Sequence, residues 1–157
     1  MLLIADGKTL WHTLPMSPHL LDKATSFFQY PSSISVVLQV DGGVFVCADK
    51  TYFLQAPGSS DVIQRKVLEH GAVSGTGSIL PDGRATWMTQ YGLAVGALDG
   101  SVTLLSQNNF VPEQASAGAS GVIDHNGNQL VVTNFTGQRG PNPLAASDYY
   151  EAEIVTP

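Results

Sequence analysis

A single cysteine, Cys47, in 157 residues rules out an intrachain disulfide. Its place inside an apolar run marks it as a small buried hydrophobe rather than a reactive thiol. Charge is scarce as well: Asp, Glu, Lys and Arg make up 13% of the chain, roughly half the usual share. Seven bases face thirteen acids, for a net charge of −6, and no Lys/Arg cluster forms anywhere. Direct nucleic-acid binding therefore has little electrostatic support. No apolar stretch approaches the roughly 18 residues of a membrane span. Met1-Leu2-Leu3-Ile4-Ala5 lacks preceding basic residues and runs straight into a turn, which is not the layout of a signal peptide. The expectation is a soluble chain made in a cytoplasm, with no membrane partner.

Chemistry-bearing motifs are missing too. His12, His19, His70 and His125 share no metal-ligand spacing. Asp124, Asn126 and Asn128 open like a calcium loop, but Gln129 stands where Gly is needed and Phe135 where a bidentate Glu is needed. Neither Gly118-Ala119-Ser120-Gly121 nor Gly75-Thr76-Gly77-Ser78 gives a nucleophile elbow, and the phosphate-cradling glycine patterns fail. Asp6, Asp49, Asp82 and Asp99 recur at turns, where such side chains cap the local backbone. The expectation is a non-enzyme with no catalytic residues, cofactor or metal.

What the chain does have is 43% apolar residues and 16 glycines, enough for one turn-rich β domain with a real core. One pattern recurs. Gly43 to Leu54 (GVFVCADKTYFL) and Gly92 to Leu105 (GLAVGALDGSVTLL) each place an alternating apolar run, a polar turn and a second apolar run in succession. Asp99-Gly100 between alternating hydrophobics is a strong hairpin signal. A third copy is Leu2 to Ala5, Asp6-Gly7, then Thr9 to Trp11. The offsets between copies are about 42 and 49 residues, within the range of β-propeller blades.

Around these hairpins the chain reads as an antiparallel meander. Residues 2–5 and 9–14 form a hairpin. Met16 to Tyr30 is the one place for a short helix, on Ser17-Pro18 and the spacing of Leu20, Leu21, Ala24, Phe27 and Phe28, or else an irregular connection. Ser35 to Val40 leads into the first core hairpin, and Val62 to Val73 reads as a half-solvated edge strand. Gly75 to Ser78 reads as flexible, Pro81-Asp82-Gly83 as a turn, and Ala85 to Thr89 as the next leading strand. Asn108 to Gly121 reads as loop. Val122-Ile123, a turn at His125 to Asn128, and Gln129 to Thr133 open a further unit. Gly137 to Pro143 reads as irregular and Tyr149 to Val155 as a last strand. The fold class is thus all-β, a single domain of three-strand meander units (about 1–30, 31–74, 75–115 and 116–157) in a partial or oligomer-completed β-propeller-like arrangement. The first hairpin lacks a leading strand, and the last unit has a leading strand without the hairpin after it.

The ordered segments Leu10 to Pro15, Leu21-Asp22, Phe27 to Pro31, Asp41 to Val46 (DGGVFV), Thr51 to Leu54 (TYFL), Ala72 to Thr76, Trp87 to Gly96 and Ala146 to Ile154 resemble a group of virion structural proteins of tailed bacteriophages and prophages. The resemblance covers nearly the whole chain. It implies a propeller-like component of the head–tail junction, tail or fibre region, with other virion proteins as partners and no catalytic residues to carry over. Members of that group carry further blade-like sequence upstream, and this chain starts mid-blade at Met1. A partner, or a homo-oligomer in a ring around the tail axis, is therefore expected to complete it. The alternative is a receptor- or glycan-binding module of a phage tail. For either, Trp11, Trp87, Tyr149 and Tyr150 are the candidate interaction surface, although aromatics within strands are more often core.

Overall fold

A computed structural model describes residues 1–14, 16–59, 61–105, 115–137 and 150–155, the last segment as backbone. Every element it shows there is a β-strand, and every ladder is antiparallel. Strands β1 (Leu3–Asp6), β2 (Thr9–His12) and β3 (Phe27–Gln29) make the first sheet. The second holds β4 (Val36–Val40), β5 (Gly43–Cys47), β6 (Thr51–Gln55) and β7 (Ile63–Leu68). The third holds β8 (Ser78–Ile79), β9 (Ala85–Thr89), β10 (Gly92–Gly96) and β11 (Val102–Leu104). The fourth holds β12 (Ala115–His125), β13 (Asn128–Gly137) and β14 (Tyr150–Val155). Each sheet is a meander, as the all-β antiparallel expectation has it. The β12–β13 turn is built from Asn126 and Gly127, both at positive φ (53° and 80°), the backbone a two-residue hairpin loop requires.

The sheets stack face to face in chain order, and strand alternation explains how. In β5, Val44 and Val46 pack with Leu10 and Tyr30 from the first-sheet side, whereas Phe45 and Cys47 pack with Ala85, Trp87 and Ala94 of the third sheet. In β10, Ala94 faces the second sheet, while Leu93 and Val95 pack with Val131 of the fourth. Both strands are therefore buried at every residue, because each is covered on both faces. Three apolar layers separate four sheets.

Several expectations are corrected. Of the two readings of Met16 to Tyr30, the helix is absent and the irregular connection holds as far as Ser26; β3 follows and pairs with β2 through Leu10↔Phe28 and Trp11↔Phe27. The Asp22 carboxylate accepts hydrogen bonds from the Ala24 N–H and the Thr25 hydroxyl, both at 2.9 Å. That turn satisfies the local backbone without a helix and delivers Phe28 to the core. The part of the expected 108–121 loop that lies within the described residues is the start of β12, a strand made of Ala, Ser and Gly. The second sheet's fourth strand, β7, lies within the edge strand expected over Val62 to Val73; the third sheet has a fourth strand, β8, beyond the expected three, and the last unit has β13 and β14 after its leading strand. Gly75 to Ser78 is locked in place: Thr76 is fully buried, and its hydroxyl bonds the Val73 carbonyl at 2.7 Å and the Met88 N–H at 3.1 Å.

The fourth strands also change what the repeat means. In the second sheet the extra strand, β7, follows the repeated hairpin; in the third, β8 precedes it. Leu38 and Phe45 point forward to the third sheet, and their counterparts in the repeat, Trp87 and Ala94, point back to the second. The second copy is turned over, so equivalent faces meet.

Candidate interaction surface

Trp87 is not available to a partner. It lies on β9 with no exposed surface, and its ring centroid is 5.1 Å from that of Phe45. Ala94 opposite, and Gly96 beside it, leave the room that the indole fills. This corrects its candidacy: the side of β9 it occupies is the one that meets the second sheet. Tyr149 lies outside the described residues. Tyr150 opens β14 opposite Asn134.

Trp11 stays at the surface. It is half-buried on β2, directly opposite Ile4 on β1 and Phe27 on β3. The Trp11 and Phe27 rings are tilted with centroids 5.5 Å apart, an arrangement that adds to simple burial. The neighbouring His12 turns the other way, its ring 5.5 Å from that of the inward-facing Phe28, as alternation along a strand dictates. Ile4, Trp11 and Phe27 thus form an apolar row across the outer face of the first sheet. Leu10 on the inner face is fully buried, whereas Ile4 is 46% and Phe27 40% exposed. Seven of the thirteen exposed large hydrophobics among the described residues fall within residues 1–27. Isolated exposed apolar side chains need no explanation, but a contiguous set marks a binding surface. Phe27 and Ile4 were missed as site residues in the sequence because the helical spacing of residues 16–30 concealed the alternation that pairs them with Trp11.

The fourth sheet presents a second such row. Val122, Val131 and Phe135 face the third sheet. Alternation puts Ile123, which is 53% exposed, and its partner Leu130 on the outer face.

Asp6 shares the outer face of β1 with Ile4, two residues away; the paired charges lie on other elements. Glu69 accepts from Lys50 at 2.8 Å and also from Lys66. Hydrogen bonds from these two ammonium groups hold its carboxyl down at about 2. The Arg65 guanidinium donates to the Asp99 carbonyl and lies 5.2 Å from the Phe53 ring centre, linking the second sheet to the β10–β11 turn. Two of the four turn aspartates, Asp82 and Asp99, cap as expected: Asp82 accepts from the Arg84 N–H at 3.0 Å and Asp99 from the Ser101 N–H at 2.9 Å. The latter bond, with that from the Ser101 hydroxyl, keeps the Asp99 carboxyl below its ordinary range. Burial pushes the Cys47 thiol up to about 12 and the Tyr30 phenol well above its usual value. Among the described residues no three His, Cys, Asp or Glu side chains gather where they could hold a metal ion, and no helix is long and apolar enough to cross a membrane. What the geometry offers a partner is apolar sheet surface. No model of a known protein family matches the chain, and no characterised protein does.

Proposed function

We propose that this chain is a non-enzymatic structural component of a tailed phage particle, made in the host cytoplasm and incorporated at the head–tail junction, tail or fibre region. Its partners are other virion proteins, and its sheets are its means of assembly. The observation that carries this reading is where the phage-like segments fall. DGGVFV supplies most of β5, TYFL supplies most of β6, and Trp87 to Gly96 runs from the middle of β9 to the end of β10. These are the strands that form the central apolar layer. These resembling segments therefore lie in the stacking core of the molecule, with others such as Leu21-Asp22 and Ala72 to Thr76 outside its strands. The apolar outer rows support assembly as the role of such a stack. A glycan-binding role would rest on Trp11, Tyr149 and Tyr150, since Trp87 is sealed.

The test is particle composition. Virions of the encoding phage or prophage are banded on a density gradient and their proteins identified by mass spectrometry. The chain is expected in the band at constant stoichiometry through repeated purification. Its presence in the infected-cell lysate but absence from banded particles refutes the reading.

A further inference from the structure

The β12–β13 hairpin places Asp124, His125, Asn126 and Gly127 in a row at its tip. This is the one point in the chain where Gly follows Asn. The carbonyl carbon of an asparagine side chain can be attacked by the backbone nitrogen of the next residue, and a glycine leaves that nitrogen uncovered because it has no Cβ. All four residues are exposed. A Cβ built on Gly127 would meet no atom within 4 Å, so the turn has room to change shape as a ring closes. Two side chains already touch the atoms that react. The Gly127 N–H donates to Asp124 Oδ1 at 3.3 Å, longer than an ordinary amide hydrogen bond, which sets a carboxylate on the proton of the attacking nitrogen without pinning it. On the other side, His125 Nε2 lies 3.2 Å from Asn126 Nδ2, about the reach of proton transfer to the nitrogen that departs.

We infer that Asn126 is a self-modification site, deamidated through the Gly127 nitrogen with Asp124 and His125 assisting. The Gly127 nitrogen bonds to Asn126 Cγ and gives its proton to the Asp124 carboxylate. The Cγ–Nδ2 bond breaks, its electron pair leaves with the nitrogen, and a proton from the protonated His125 ring completes ammonia. The product is a succinimide ring in the main chain. Water opens that ring at either carbonyl, leaving an aspartate or an isoaspartate at position 126, so the sum is amide plus water to acid plus ammonia. Both products add a negative charge beside Asp124. The isoaspartate also lengthens the main chain inside a turn whose ladder closes at His125↔Asn128. The inference is independent of the phage reading, which particle composition tests.

The experiment holds the purified chain at 37 °C and neutral pH, folded and in 6 M guanidinium, beside His125→Gln, Asp124→Ser and Asn126→Gln. Circular dichroism checks that each variant keeps the wild-type spectrum, and alanine at the same position replaces any variant that does not. Peptide mass spectrometry reads the change of NH2 to OH at position 126, with Asn128 and Asn134 of the same hairpin as internal controls. In the folded chain position 126 is expected to convert faster than either control by about tenfold or more, and Asn126→Gln to abolish the conversion. General acid–base assistance is worth about a hundredfold or more in a built active site, so about threefold to tenfold is expected from partners this exposed. His125→Gln and Asp124→Ser should each slow the folded chain by that factor and leave the rate in guanidinium unchanged. A role confined to bracing the turn gives the opposite sign, because a loosened turn converts faster. An Asn126 that stays intact in the folded chain while converting in guanidinium overturns the inference. So do His125→Gln and Asp124→Ser chains that convert as fast as the wild type or faster.

Discussion

Replacing Gly96 by alanine sets two effects of opposite sign against each other. At a site that tolerates it, alanine for glycine stabilises a protein by about 0.4–1 kcal/mol, because the unfolded chain has less freedom to lose. At Gly96, however, a Cβ would lie 2.6 Å from Cε2 and Cζ of Phe45 and 2.9 Å from Cζ3 of Trp87. Neither ring can withdraw easily. Both are fully buried, and Phe45 is held between Phe53 at 4.9 Å and Trp87 at 5.1 Å. Overpacking of a filled core costs about 1–3 kcal/mol, so the steric effect wins, and a net destabilisation of about 1–2 kcal/mol is expected. The companion variant Phe45→Leu removes the ring edge that the new methyl strikes. It should be destabilising by itself, through lost packing, by about 1–3 kcal/mol. In the double variant the methyl fills part of the space vacated, and the two costs should fall short of their sum by about 1 kcal/mol. Urea unfolding followed by far-ultraviolet circular dichroism reads all three midpoints, with an unchanged slope as the check that the transition remains comparable. A Gly96→Ala chain at least as stable as the wild type would refute the account of the central layer. Additivity of the two changes within about 0.5 kcal/mol would do the same.

Three further outcomes are expected. Cys47, with its thiol at about 12 and no exposed surface, should resist a disulfide reagent at pH 8 in the native chain and react at once in 6 M guanidinium; fast native reaction would contradict the burial of β5. The two tryptophans should separate in fluorescence. Trp11→Phe should leave a blue-shifted emission from Trp87 that acrylamide barely quenches, and Trp87→Phe a quenchable one from Trp11. The Glu69 carboxyl should titrate near 2 by carbon-13 NMR instead of at its ordinary 4.5. Because its folded value is depressed, its contribution to stability is present above pH 4.5 and lost as pH falls toward 2. With side chains this exposed the contribution is small and fades in salt. Lys50→Met together with Lys66→Met should return the carboxyl to near its ordinary value.

The parts of this fold that are legible in the sequence are those set by neighbours along the chain. Asp-Gly and Asn-Gly between alternating hydrophobics announce the hairpins at Asp6-Gly7, Asp99-Gly100 and Asn126-Gly127, since the turn backbone is a local requirement. The β-branched run of β4 is legible for the same reason. β12 is not: between Ala115 and Gly121 it offers only Ala, Ser and Gly. Its place is fixed by its ladder with β13 and by the bond from the Gly118 N–H to the Ser74 carbonyl, far away in sequence. The helical spacing in residues 16–30 misleads because Phe27 and Phe28, side by side in the chain, serve opposite faces of a strand. The candidate site divides in the same way. Alternation places Trp11 and His12 on opposite faces, but whether a given face is covered depends on which sheet stacks against it. Trp87 is sealed and Trp11 half-open because the former's sheet has neighbours on both sides and the latter's on one.

Every hydrogen-bonded ladder among the described residues joins strands that follow one another in the chain. Pairing over short separations closes small loops and is fast, whereas distant contacts are slow to find. Each sheet can therefore zip up from its own turn. The slower search is left to the docking of one finished sheet on the one before it, an order that matches the direction in which a ribosome releases the chain.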